Sequence, residues 1–311
     1  MSKALIMSDP RETDLRYRAL FLEAWNVSLA ELNEIARQED LPAGINTYRV
    51  GEIVAGLTSA PQAAEGSEYE YFAPQPGKSW IVTVGIRKFA FRCSEEMRKY
   101  GQSNQIASWP QLMVDIFNQT IKVDTYNQYN RAFNASYPTL YDPSTTLCST
   151  SHTLANGGTA SNRLAVDADL TETSLEAAIE VMMRTPNEDG IFQGVVPKVL
   201  MTSSAQWGTN IKLTGSSQSL LQGTGESPNA INAVTRAWNI VPKFSNYITD
   251  NDAFFLLGQK PPVNLVFTAD GRPHLKPVYV DQLTDDWIWR AKGEWANVTD
   301  TWRGVVGSTG S

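Results

Sequence analysis

The sequence predicts a mixed α+β fold, with helical and strand-forming stretches segregated along the chain. Three observations predict it. Phe21, Trp25, Leu29, Leu32 and Ala36 recur at helical spacing. From Thr47 to Arg92 the period changes to two, with Tyr48, Val50, Glu52 and Val54 alternating on one run and Trp80, Val82, Val84 and Ile86 on another. A helical rhythm then returns at Trp109 and holds to Pro138, and short β-type runs fill the last quarter of the chain.

In chain order, residues 1–46 read as an arm. Ser28 with Glu31 forms an S-x-x-E capping box that restarts a helix after Asn26, and Pro42 and Gly44 end it. Two short helices bury little by themselves, so the arm is expected to lie on other parts of the structure or on a neighbour. The strands after Thr47 flank Gly56 to Glu68, full of Ala, Ser, Gly, Gln and Glu, then a short strand at Tyr69 to Phe72 and a turn at Pro74 to Lys78. The result is a long two-stranded projection, and because an isolated ribbon is marginal in water it needs a partner surface.

Ser94 ahead of Glu95 and Glu96 starts a short helix, and Ser108 with Pro110 starts the long one. Trp109, Leu112, Ile116, Val123, Tyr126, Phe133 and Tyr137 carry its rhythm until Pro138, a rod of about 40 Å. Tyr141 to Asn162 is a loop, after which Thr173 and Glu176 open a capped helix through Met183. Val195 to Met201 is a buried-type strand, Ser204 to Leu213 a helix and Thr214 to Ser227 a Gly/Ser-rich loop. Ala237 to Val241, Phe254 to Leu257, Leu265 to Thr268 and Val278 to Val280 read as strands. Trp287 to Trp302 reads as a closing hairpin. No internal repeat is present.

Composition narrows the functional classes. With 311 residues, 42% of them hydrophobic, the chain can bury a core without staples. No apolar stretch approaches the roughly 20 residues that cross a bilayer, and Met1 to Asp14 has no basic region followed by an apolar one, so a soluble, non-secreted chain without a membrane partner is expected. Cys93 and Cys148 are then reduced thiols in cytoplasm. The 26 basic and 33 acidic side chains give a net charge of −7, which argues against holding nucleic acid on a general basic surface. Only His152 and His274 are available for histidine chemistry, which points away from enzymes.

Individual candidates are outweighed by plainer roles. Cys148 and His152, four apart, could pair a thiol nucleophile with its base in a soluble hydrolase, but a loop position without a second His/Cys pair reads as structural. His274 reads as a turn residue. Asp167 and Asp169, with Asp142 upstream, lack the full calcium-loop spacing and read as a solvated loop. Gly215 to Gly225 has no G-K-[ST] ending and reads as a flexible loop. Asn26, Asn118, Asn134 and Asn297 begin sequons that have no meaning without secretion. Trp287, Trp289, Trp295 and Trp302 could stack on bases, yet fill core and interface pockets more naturally. No catalytic, cofactor or metal residue is assigned.

The order of arm, projecting ribbon, long helix, mixed region and returning strands resembles the shell-forming fold of tailed-bacteriophage major capsid proteins, which encapsulins share. Val196-Pro197-Lys198-Val199-Leu200-Met201 resembles the family's strand ahead of its apical-domain helix. Val241-Pro242 followed by Tyr247-Ile248-Thr249-Asp250 and then Ala253-Phe254-Phe255-Leu256-Leu257 resembles its Val-Pro, Tyr-Leu-Thr-Asp and aromatic-Leu pattern. Leu147-Cys148-Ser149-Thr150-Ser151-His152 with Gly157-Gly158 and Asn162 is similar to a loop of Mu-like major head subunits, as is the tail Asp300-Thr301-Trp302-Arg303-Gly304-Val305-Val306-Gly307-Ser308. The similarity runs from about Tyr48 onward.

The resemblance implies an N-terminal arm (1–46), an extended loop with flanking strands (47–93), a peripheral domain with a spine helix (94–165), an axial domain (166–279) and C-terminal strands returning to the peripheral domain (280–311). It implies a non-enzymatic subunit that assembles with itself into hexamers and pentamers of an icosahedral shell. The shell would enclose double-stranded DNA, form in the host cytoplasm and work with a portal and possible scaffold and decoration proteins. An encapsulin-type compartment is the alternative within the shell class. Some family members link a loop lysine to a neighbour's asparagine, and here Lys78 reads as a solvated turn lysine.

Overall fold

The computed structural model describes residues 10–54, 62, 65–66, 68–69, 71, 75–100, 106–137, 145–215, 234 and 237–310. Helix α1 (Pro10–Ser28) turns Tyr17, Phe21 and Trp25 inward at 0–6% exposure and packs along the long helix, α3 (Trp109–Asn130). Phe21 meets Phe117 edge-on at 6.5 Å, and the Tyr17 hydroxyl donates to the Ile106 carbonyl at 2.5 Å. The segment expected as an arm thus packs within its own subunit.

No second helix restarts at Ser28. That residue closes α1, a single 3-10 turn (Ala30–Glu34) follows without a side-chain cap, and Ala36 begins strand β1 (Ala36–Asp40). A five-residue helix is below the cooperative length. Pairing β1 in parallel with β10 (Val263–Phe267) gives the same backbone a ladder partner while Leu32 and Ile35 are fully buried.

Strands β2 (Thr47–Val54) and β3 (Gln75–Thr83) form the projecting antiparallel ribbon, with a bulge between Gly51 and Ile53. Gln75 to Lys78, expected as a turn, lengthens β3 instead. The expected strand at Tyr69 to Phe72 is not seen where described: Tyr69 and Tyr71 have no regular structure, and the rest, with most of residues 56–68, lies outside the described residues. The run from Trp80 to Ile86 breaks at Val84, whose amide donates to the Asn46 carbonyl at 2.9 Å. Ile86 therefore belongs to the next strand, β4 (Gly85–Cys93), and points outward at 57% exposure.

A short helix, α2 (Glu95–Lys99), follows, and the Ser94 hydroxyl caps it as expected by accepting from the Met97 amide at 3.3 Å. Helix α3 begins at Trp109 as expected but ends at Asn130, not at Tyr137, so its 22 residues span about 33 Å. The Asn130 amide donates to the Tyr247 carbonyl at 2.8 Å while its oxygen accepts from Thr249, and the Ala132 carbonyl accepts from the Cys148 amide at 2.8 Å. These bonds commit the chain to neighbouring loops before Pro138 is reached. The buried face is also rotated from expectation. Met113, Val114, Phe117, Ile121, Tyr126 and Tyr129 point inward, whereas Leu112 and Ile116 are 47% and 37% exposed.

The expected closing hairpin is one strand, β13 (Trp287–Thr299). Gly293 is the natural turn position, but a Cβ there would come within 2.7 Å of the Trp295 ring, so glycine serves close packing and the strand runs straight through. Strand β13 pairs antiparallel with β4, β10, β11 (His274–Leu275) and β12 (Tyr279–Val280), and β1 completes a six-stranded sheet on β10. His274 is thus a strand residue rather than a turn residue, with Nδ1 3.0 Å from the Arg272 carbonyl.

Two short strands, β5 (His152–Thr153) and β6 (Thr159–Ala160), pair within the expected loop, and a four-stranded sheet follows the order β14 (Val305–Ser308), β9 (Phe254–Gly258), β7 (Pro197–Ser203), β8 (Val241–Ser245). Strands β7, β9 and β14 are buried on both faces, which is why their apolar residues read as unbroken runs, whereas the edge strand β8 is only half-buried, with Phe244 46% exposed. Val199, Met201, Phe255, Leu257 and Val305 join the main core, while Leu200, Phe254, Leu256 and Val306 pack under helices α4 (Glu172–Met183) and α5 (Trp207–Gly215). Helix α4 starts two residues earlier than expected. Thr171 caps it, and the Ser174 hydroxyl takes the place of the usual Glu in a reciprocal capping box. Ala237, expected in a strand, is helical, with Trp238 bonded back to Val234. Gly215 closes α5, and residues 216–227 of the expected Gly/Ser-rich loop lie outside the described residues.

Phe117 is 2% exposed and touches Phe21, Phe89 and Trp295. Phe117→Ala should lower subunit stability by about 3–5 kcal/mol. Ile116→Ala, one residue away on the exposed side, should cost under about 1 kcal/mol. Urea unfolding followed by circular dichroism measures both, and equal losses would contradict the observed rotation of the helix.

Candidate assembly surfaces

The root of the ribbon is held by a polar cluster. The Asn264 amide donates to the Tyr48 hydroxyl at 2.9 Å and to Glu39 at 2.8 Å, and Tyr48 donates to Glu39 at 3.1 Å. Asp300 lies 3.5 Å from the same hydroxyl and pairs with Arg37. Burial is the largest influence on Asp300 and raises its carboxyl above the usual range, with Arg37 pulling the other way. Burial and Asp300 push Tyr48 up to about 12, so it is a neutral hydrogen-bonding phenol at any working pH. Sequence reading missed this cluster. Its members come from β1, β2, β10 and the end of β13, and no local spacing announces such a contact.

Beyond the root, several of the described side chains stand clear of the rest of the subunit. Trp80 is 9% exposed, but Ile81 is 61%, Tyr69 90% and Tyr71 96% exposed. Lys78 lies in β3, not in a turn, and donates to the Thr153 carbonyl at 3.3 Å. Leu15 and Leu22 on α1 and Leu112 and Ile116 on α3 are further exposed apolar side chains. These side chains are available for contact with another protein.

The Cys148 and His152 loop gives no reactive pair. Cys148 is fully buried, and desolvation pushes its thiol far above the ordinary value, so it supplies no thiolate. His152 is 2% exposed, stacks flat on Trp302 at 4.4 Å and shares a 2.9 Å hydrogen bond with Asn162. The Arg303 guanidinium lies 4.6 Å from the centre of the same indole and makes a buried ion pair with Glu188 at 2.6 Å. Asn162 also donates to the Leu147 and Trp302 carbonyls, so this loop locks the C-terminal strand to the body of the fold. Gly307 explains the fit, since a Cβ there would sit 2.8 Å from Phe133 and 2.9 Å from Cys148.

The remaining candidates also have structural partners. Asp167 is bound by Arg163 and is not aimed at a cation, Asp142 lies outside the described residues, and no group of three metal-type ligands occurs among the described residues. Trp287, Trp289, Trp295 and Trp302 are buried at 3% exposure or less, which removes them as base-stacking platforms. A groove of about 630 Å³ holds Arg37 and Arg303, each neutralised by its own carboxylate. Among the described residues, no helix is long and apolar enough to cross a membrane.

A subunit whose outward features are a projecting ribbon and apolar faces, with its thiols and acids engaged in structure, belongs to the class of assembling proteins. Residues 81–308 match the family model described as phage capsid protein. The chain belongs to that family, and it is a non-enzymatic major capsid protein of an icosahedral phage head. The capsid of Myoviridae phage XM1 superposes with a TM-score of 0.55 at 8% identity, over 91% of this chain and 92% of that one. The capsid of Ralstonia phage GP4 gives 0.55 at 13%, over 89% and 87%. A virus-like particle from Pyrococcus furiosus gives 0.52 at 10%, over 96% and 99%. At these identities the structures speak for the shared fold alone. No curated protein matches the sequence significantly.

Two outcomes follow from the loop chemistry. Cys93 and Cys148 are both buried with thiols raised by desolvation, so neither should react rapidly with a thiol reagent at pH 8. Both should react once the chain is denatured, and a fast-reacting thiol in the native protein would refute the assignment. The Asp167 carboxyl is held below its usual value chiefly by its hydrogen bond to Arg163. Its stabilisation is therefore complete above the unfolded value of about 3.9 and is lost as pH falls through the folded value. The difference in Tm between the wild type and Asp167→Asn should be largest near neutral pH and close at strongly acid pH; a gap that widens with acid would reverse the sign.

Proposed function

We propose that copies of this chain form hexamers and pentamers whose quasi-equivalent contacts close the shell around double-stranded DNA, without sequence-specific binding to it. The observation that carries the reading is the ribbon of β2 and β3, anchored at its root and accompanied by the exposed side chains of Ile81, Tyr69 and Tyr71. A two-stranded ribbon gains stability only against a further surface, and in a homomeric shell that surface is a neighbour. We assign residues 47–93 to the extended loop, 94–165 to a peripheral domain around α3, 166–279 to an axial domain and 280–311 to strands returning to the peripheral domain. Within residues 1–46, named an arm from sequence, α1 and β1 cover α3 and the edge of the six-stranded sheet.

A Mu-like head subtype fits the loop from Leu147 to Asn162 and the tail from Asp300 to Ser308. Assembly in the host cytoplasm, a portal at one vertex, and scaffold or decoration proteins complete the proposal. An encapsulin-like compartment shares the fold, and the phage capsid family assignment favours the head.

The test is electron microscopy of the purified protein beside a variant lacking residues 56–74, with circular dichroism and melting measured on both. The wild type should form rings or shells. The shortened subunit should melt within a few degrees of the wild type but form no closed particles. Normal shells from the deletion would remove the ribbon from assembly, and a stable wild-type monomer at high concentration would overturn the shell reading itself.

A further inference from the structure

We propose that Asn156 is a site of spontaneous covalent modification, at which the backbone nitrogen of Gly157 displaces the side-chain amide and leaves aspartate or isoaspartate against the Glu188 loop. The inference is independent of the shell reading. Asn156-Gly157 is the single Asn-Gly pair in the sequence. It lies in the connection between β5 and β6, where residues 155–159 are all exposed.

The hairpin sets up each part of the reaction. The attacking nitrogen belongs to a glycine at φ 82°, and a Cβ there would meet nothing within 4 Å, so neither its own side chain nor a neighbour shields the approach. The Asn156 Oδ1 already accepts from the Gly158 amide at 2.8 Å. That oxygen takes up negative charge when the nitrogen adds to Cγ, and a fixed backbone donor stabilises it there as an oxyanion hole does. The departing Nδ2 has no hydrogen-bond partner among the described residues. The Gly157 amide donates to the Leu154 carbonyl at 3.1 Å, and this bond must open before the nitrogen attacks. Strands of two residues on either side hold the turn with few backbone bonds, so local opening costs little.

Hydroxide removes the Gly157 amide proton, the bond from nitrogen to Cγ forms, and the bond from Cγ to Nδ2 breaks. Ammonia departs with a proton returned from solvent. The cyclic imide that remains takes up one water. Opening at the side-chain carbonyl gives aspartate, and opening at the backbone carbonyl reroutes the chain through the side chain as isoaspartate. The new charge falls on a loop that already holds acids. The Asn156 amide donates to the Glu188 carbonyl at 3.3 Å and the Ala155 amide to the Glu188 carboxylate at 2.8 Å. Glu188 and Asp189 are 6% and 8% exposed, and a Cβ on Gly190 would lie 2.6 Å from Asn156 Nδ2, so the reacting side chain packs directly on this loop. A carboxylate in its place repels the Glu188 charge that pairs with Arg303, and isoaspartate also lengthens the hairpin backbone. Both changes loosen the contact that ties down the C-terminal strand.

The experiment ages the purified native protein at pH 8 beside the same protein unfolded in urea, and reads every asparagine by peptide mass spectrometry. In the native protein Asn156 should convert ahead of all other asparagines, into a mixture of aspartate and isoaspartate, at a rate that rises in proportion to hydroxide. Asn156→Ser keeps an oxygen for the Gly158 amide and should abolish the change while holding the wild-type Tm through ageing. Asn156→Asp should melt a few degrees below the wild type, and aged wild type should drift toward it. Should Asn156→Ser itself melt low, the mass measurement on the wild type still decides. A native protein that keeps its amide while the unfolded chain loses it would mean that the Leu154 bond protects Gly157, and would overturn the inference. So would faster conversion of another asparagine in the native protein. Asn156→Asp melting with the wild type would overturn the claimed effect on the Glu188 contact.

Discussion

The contact on which the rest of the structure depends is the stacking of the inward tryptophans of β13 on helices α1 and α3. Trp289 stacks on Tyr17 at 4.9 Å and meets Trp109 at 5.9 Å, while Trp295 meets Phe117 at 5.8 Å and carries the Arg87 guanidinium over its face at 4.4 Å. Large rings bring most of the buried area and fix relative orientation, because their packing preferences are directional. Since β13 is the common partner of β4, β10, β11 and β12, fixing it fixes the sheet. The ribbon leaves the sheet one residue before β4, so its direction is set by the same contact.

The second sheet is tied to the first by burying both of its faces. Strands β7 and β9 contribute alternate residues to the main core and to the core under α4 and α5, so neither half of the fold can shift without opening apolar surface in the other. The C-terminal segment closes this link. Trp302 stacks on His152 and lies against the Arg303 guanidinium, Arg303 is held by Glu188, and the amide of Gly307 reaches the Asn162 carbonyl. A rigid subunit suits a shell, where small angular errors accumulate over many copies.

Groups that elsewhere would suggest chemistry are consumed here by structure. Burial keeps Cys148 protonated, Asn162 and Trp302 hold His152, and Arg163 holds Asp167. What remains for partners is surface: the ribbon and the apolar side chains of α1 and α3. Function in this family is therefore a matter of which faces the fold leaves uncovered and how they complement one another.

The sequence by itself determined the α+β class, the alternation that makes β2 and β3, the Ser94 cap, the start of α3 and the apolar runs of β7 and β9, because each depends on neighbours within a few residues. Two of the motifs quoted for the capsid family, Val196 to Met201 and Ala253 to Leu257, lie on such elements. Tertiary structure alone decided that Ala36 to Asp40 is a strand, since its ladder partner β10 is more than two hundred residues away. It decided that β13 runs through Gly293, that α3 stops at Asn130, and which side of α3 faces inward. It also decided the cluster of Tyr48, Asn264 and Asp300. Periodicity reports that a face is apolar or polar. Which other face it meets is set by burial and long-range pairing, and no local pattern encodes that choice.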